Sequence, residues 1–250
     1  MKLGLLAVAF SLVAAPTCRA QSHDSMPGMA GMGGTDSTDR QAGAAAEQEM
    51  SGTMIADLHM VMTPHQALAA GDSARAAALV AEMRRDLAQF KNVDSALAAG
   101  YQPFFPNVPQ PVYHFTNLGN ALRERLRFDP AQPTALLYRK EPSGAYTLVG
   151  AMYDDAADTP LDELDRRVPL SIAHWHRHVN WCLPPRGAAA RWHETKDGHP
   201  VFGPKSPIAT AEACAAVGGR FLPHIFGWMV HINAFSGDDP TVIWGEAGHS

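Results

Sequence analysis

Beyond its first fifteen residues the chain has no apolar run approaching the roughly twenty residues that a membrane-crossing helix needs. This excludes a helical membrane span in the mature protein. Lys and Arg do not cluster, so there is no electrostatic footprint for nucleic acid or an anionic membrane surface. Arg123, Arg125 and Arg127 read as a solvated helix face. There is no Gly-x-Ser-x-Gly elbow, phosphate loop or dinucleotide fingerprint, which removes the common routes to serine hydrolysis, nucleotide hydrolysis and hydride transfer. The chain has only three cysteines.

At the N-terminus, Lys2 precedes an apolar run from Leu3 to Ala15, and Cys18-Arg19-Ala20 makes a small-residue end before Gln21. Residues 1–20 are the pattern of a secretory signal peptide, which places the mature protein in the periplasm or outside the cell. Ala-Pro-Thr before Cys18 is a poor match to a lipid-attachment motif, so cleavage after Ala20 is the expectation. Losing Lys2 and Arg19 takes the formal charge from -5 to -7 and leaves Cys182 and Cys214. An oxidising compartment favours a bridge between them, which also argues against a catalytic cysteine.

Residues 21–52 are rich in Gly, Ala, Met, Ser and Asp, with no β-branched or aromatic run to bury, and read as a disordered leader. Its His23, Met26, Met29, Met32 and Met50 leave two alternatives, a capture segment for Cu(I) or a plain linker. A single domain is expected over 53–250. From Asp72, Ala76, Leu79, Val80, Met83, Leu87 and Phe90 recur at helical spacing, and a shorter helix over 93–99 ends at Gly100. Strands are expected over 112–116, 135–138, 146–153, 172–181 and 227–235, with short helices over 117–126, 161–166 and 210–217. Mixed elements without a repeat point to an α+β fold, with N-terminal helices packed on a mostly antiparallel β-sheet or small barrel.

The most informative stretch is Ile172-Ala173-His174-Trp175-His176-Arg177-His178-Val179-Asn180-Trp181-Cys182. Side chains on a strand alternate between faces, so His174, His176 and His178 share one face, and neighbouring members of that set are about 6.5 to 7 Å apart at Cα. Two such imidazoles converge on one ion more readily than three, which favours His176 and His178. His114 and His231 lie in apolar strands, where an imidazole without a partner is costly to bury. A sheet that curls would bring His114, His176, His178 and His231 around one point. Copper, zinc and iron all accept such a ligand set. Asn180 and Asn233, two residues beyond His178 and His231, are candidates to orient the ligands. His193-Glu194 opens a zinc-protease-like motif, but Asp197 stands where its second histidine would be.

Several segments resemble a functionally uncharacterised family of exported bacterial proteins: Val-Tyr-His-Phe-Thr-Asn at 112–117, Trp-His-Arg-His-Val-Asn-Trp-Cys at 175–182 and Phe-Gly-Trp-Met-Val-His at 226–231. The resemblance spans about residues 57–245. It matches His114, His176, His178 and His231 to family positions and leaves His174 as an extra; it implies no reaction. Three functions follow as expectations. One is a mononuclear metalloenzyme acting on a small-molecule substrate, with Asp154, Asp155 or Glu194 as candidate bases. The others are a copper-handling protein without catalysis, and an envelope structural protein with a histidine core.

Overall fold

The computed structural model describes residues 36–52 and 54–245. The signal peptide and the first part of the leader therefore lie outside the described residues. Seven strands form one antiparallel sheet in the order β1-β6-β9-β5-β4-β3-β2. They are β1 (Met60–Met62), β2 (Gln102–Pro103), β3 (Tyr113–Thr116), β4 (Ala135–Lys140), β5 (Tyr146–Asp155), β6 (His176–Leu183) and β9 (Arg220–Ile232). Strands β7 (Thr195–Lys196) and β8 (His199–Pro200) make a separate small ladder. The helices are α1 (Ser37–Met50), α2 (Asp72–Asp86), α3 (Val93–Ala98), α4 (Leu118–Glu124), α5 (Leu161–Arg167), α6 (Ala211–Ala216) and α7 (Pro240–Trp244). The fold is α+β, and the sheet is open, not a closed barrel: β1 and β2 are its two edges.

Alternation along the strands divides the apolar residues between two faces. On one face Tyr113, Phe115, Leu136, Tyr138, Tyr153, Val230 and Ile232 pack against Leu79, Val80 and Met83 of α2 and against Leu164 of α5. The other face carries Ala135, Leu137, Met152, Trp181, Ile225 and Met229. Ala42, Ala46 and Met50 of α1 close over it.

That helix corrects the expectation of a disordered leader over 21–52. Residues 36–52 belong to the folded unit, and α1 starts at Asp36, whose side chain accepts from the Thr38 backbone N–H. Ala42, Ala46 and Met50 recur every four residues and are at most 3% exposed. Small side chains let the helix approach the sheet closely, and alanine is the best helix former. Buried Asp39 pairs with Arg186 at 2.9 Å and also with Arg220, tying α1 to the sheet. A search for large apolar residues overlooks a helix that packs through alanine.

Two glycines allow β5 and β9 to run unusually close. A Cβ at Gly150 would stand 2.2 Å from the Ile232 carbonyl oxygen, and one at Gly227 would stand 1.7 Å from that of Asp155. The expected bridge is present: Cys182 on β6 is bonded to Cys214 on α6, with Cα atoms 5.5 Å apart. It fastens the far end of β6 to the helix that leads into β9. Among the described residues no helix is long and apolar enough to cross a membrane.

Candidate functional site

Alternation also places the histidines. His114 stands between Tyr113 and Phe115, and His231 between Val230 and Ile232, all four of which belong to the first face. Both histidines therefore face α1. His176 and His178 join them from β6, and the four residues are at most 3% exposed. His176 pairs with Met229 but His178 with Ile225, so β9 carries an irregularity between them. Phe226 sits there at φ 62°, and Asn180 on β6 at φ 60°. Such a bulge bends the ladder locally.

The four rings form a chain of contacts. Ring centres are 5.3 Å apart for His114 and His231, 5.1 Å for His176 and His231, and 5.7 Å for His176 and His178. The Nε2 atoms of His114 and His231 are 3.4 Å apart. Strands β3 and β9 are separated in the sheet by β4 and β5. In a flat sheet three strand spacings of about 4.8 Å would part them by roughly 14 Å, beyond the reach of two parallel side chains. The contact therefore requires the sheet to curl around this face.

Glu47 orients His114. Its Oε1 lies 2.9 Å from His114 Nδ1, and both side chains are fully buried. When Nδ1–H donates to this carboxyl oxygen, Nε2 carries the lone pair and points at His231. His178 Nε2 is buried without a hydrogen-bond partner. Burial pushes the His178 pKa down to about 4, which keeps the ring neutral near neutral pH. Two nitrogens bound at about 2.0 to 2.1 Å in a tetrahedral set stand about 3.3 to 3.4 Å apart, and the ring centres about 5.2 Å apart. The His114–His231 pair stands at that separation. Among the described residues, no three His, Cys, Asp or Glu side chains are gathered closely enough to hold an ion as they stand.

The other expected residues lie elsewhere. His174 precedes β6, is only partly buried, and its Nδ1 meets the Thr63 carbonyl at 2.9 Å. Asn180 and Asn233 do not have the orienting role expected of them in the hydrogen bonds they make. Asn180 donates to the Leu58 carbonyl, and Asn233 to the carbonyls of Val242 and Gly245, where it holds α7. His193 and His199 are exposed, and Glu194 pairs with Arg191 at 2.7 Å. Asp155 is bound to Arg167 at 3.0 Å. Sequence reasoning missed Glu47, although its place beside Ala46 in an i, i+4 stripe was available as a signal.

It also missed that Asp154, one of the candidate bases, shares a hydroxyl with buried Glu124. Glu124, the last residue of α4, and Asp154 on β5 both meet the Thr134 hydroxyl, Glu124 at 2.5 Å. The hydroxyl has one proton and can donate to only one carboxyl, so the other contact needs a protonated acid. Burial, reinforced by Asp154, holds the Glu124 pKa well above the usual range, and burial raises that of Asp154 to about 6. Arg125, Arg167, Asp155, Tyr101 and Tyr153 also act on this pair. Because the folded state holds the proton more tightly, the stabilisation is complete below the unfolded pKa near 4 and is lost as pH rises through about 6. The expected size is on the order of 2 to 3 kcal/mol. Urea denaturation of chelator-treated protein at several pH values should show a steeper decline between pH 4 and 7 than Asp154→Asn shows. Parallel curves for the two proteins would exclude the shared proton.

No protein-family model, no curated protein and no solved structure matches this chain.

Proposed function

We propose that this chain is an exported metal-binding protein with one mononuclear transition-metal site formed by His114, His176, His178 and His231. The observation that carries the reading is the His114–His231 contact: two Nε2 atoms at a ligand-like 3.4 Å, one of them aimed by Glu47. The motif resemblance adds support, since it selects the same four histidines and omits His174. Export is supported by the Cys182–Cys214 bridge, which suits an oxidising compartment.

Burial of all four histidines favours a closed site that holds its ion over one that keeps an open position for chemistry. One observation favours a metalloenzyme as the second reading. A cleft of about 500 Å³, lined in part by Arg125, Arg177, His224 and Phe226, shares Phe226 with the apolar cluster on the histidine face. A small-molecule substrate would approach from there.

Elemental analysis of mature protein purified without a histidine tag is the test. One transition-metal ion per chain is expected. A metal-free protein that also takes up no copper, zinc or iron after dialysis against each would leave a hydrogen-bonded histidine core in its place.

A further inference from the structure

Building on the proposed histidine site, we infer that the site selects copper in its cuprous state, because the sheet sets methionine thioethers directly across from the histidines. In an antiparallel ladder, opposed residues share a face, with Cβ atoms about 4.5 to 5.5 Å apart. Met60 opposes His178; Met62 and Met229 oppose His176; Met152 opposes His231. The other residues opposite the four histidines are Ile225, across from His178, and Leu137, across from His114. Eleven methionines in 250 residues would place fewer than one at six positions taken at random. Met50 of α1 joins Met152 and Met229 in the apolar cluster on this face.

Methionine is also a common gap-filler in cores, so its presence alone does not select a metal. Two further observations do. Met60, Met152 and Met229 are at most 6% exposed, and beside them His178 Nε2 is buried without a hydrogen-bond partner. A buried nitrogen donor without a partner, on a residue paired across the ladder with buried Met60, suits a soft ion. Thioethers favour Cu(I), whereas zinc gains little from them and hard cations less. Charge points the same way. Imidazole and thioether donors are neutral, and a monovalent ion costs less to take out of water than a divalent one.

The test uses the mature full-length chain, stripped with chelator and titrated separately with Cu(I) under ascorbate and with Zn(II), each against a competing chromophoric chelator. Tryptophan fluorescence gives a second readout, since the Trp181 ring lies 6.1 Å from that of His178. One equivalent of Cu(I) is expected. In Met152→Leu/Met229→Leu, a nearly volume-conserving change, Cu(I) affinity should fall at least tenfold while Zn(II) affinity stays within twofold. Equal loss for both ions, or no loss for Cu(I), overturns the cuprous assignment and leaves the histidine site standing. Failure of the wild-type protein to bind either ion overturns both readings. If the double variant does not fold, copper-edge X-ray absorption of Cu(I)-loaded wild type decides: sulfur bound directly to the copper is expected, and nitrogen alone refutes the assignment.

Discussion

Replacing His231 with alanine should remove most of the bound metal. His231 is the middle of the ring chain, in contact with His114 on one side and His176 on the other. Changing an outer partner of a metal ligand costs about 10- to 100-fold in affinity, so removing a ligating ring at the centre of the set should cost about 100-fold or more. His176→Ala should behave in the same way. Glu47→Gln keeps the shape but weakens the orienting hydrogen bond, and an intermediate loss of about tenfold is expected. His174→Ala should bind like wild type, because its ring is engaged with Thr63 outside the cluster. Metal content of the four variants, purified side by side, decides the matter. Full occupancy in both His231→Ala and His176→Ala would rule out the site.

The same approach separates a metal site from a histidine core. In chelator-treated protein a site prepared for an ion leaves His178 Nε2 unsatisfied, an arrangement that costs free energy. His178→Leu, which fills a similar volume without the unsatisfied nitrogen, should therefore leave the melting temperature of the metal-free protein nearly unchanged. A fall of several degrees without metal would identify a ring that works through hydrogen bonds of its own.

Deleting residues 21–50 should lower the melting temperature by about 10 °C or more, since each kcal/mol moves a domain of this size by roughly 2 to 4 °C. The deletion takes away α1, whose buried Ala42, Ala46 and Met50 cover the second face of the sheet. Several hundred Å² of apolar surface would return to water, at about 25 cal/mol per Å², or on the order of 5 kcal/mol or more. It would also leave Arg186 and Arg220 without Asp39, and His114 without Glu47. Metal affinity should fall together with stability. A deletion of residues 21–34, which spares Asp36 and the rest of α1, is the control and should melt close to the mature protein. A shift below about 3 °C in the longer deletion would show that α1 contributes little to the domain.

Much of this fold is visible in the sequence because its signals are local. Apolar spacing from Asp72 anticipates α2, and alternation anticipates β3, β4, β5 and β6 to within about four residues, whereas β9 begins seven residues before its expected start. Period-two alternation by itself puts His176 and His178 on one face, and the two cysteines that survive export leave one pairing. The features that are not legible depend on partners distant in the chain. Helix α1 reads as linker because Ala42 and Ala46 gain their worth only against Leu137 and Val149 of a sheet formed a hundred residues later.

The same division holds at the site. Sequence alone determined which histidines are candidates, since strand periodicity and the cost of burying an imidazole are properties of a few adjacent residues. Only the tertiary structure decided that β3 and β9 approach across a curled sheet, that Glu47 holds His114, and that Asn180 and Asn233 brace the backbone. It also placed four methionines opposite the histidines. Cross-strand register and curvature arise from pairing, bulges and close approaches such as those at Gly150 and Gly227, and no local pattern encodes which residues those contacts bring together.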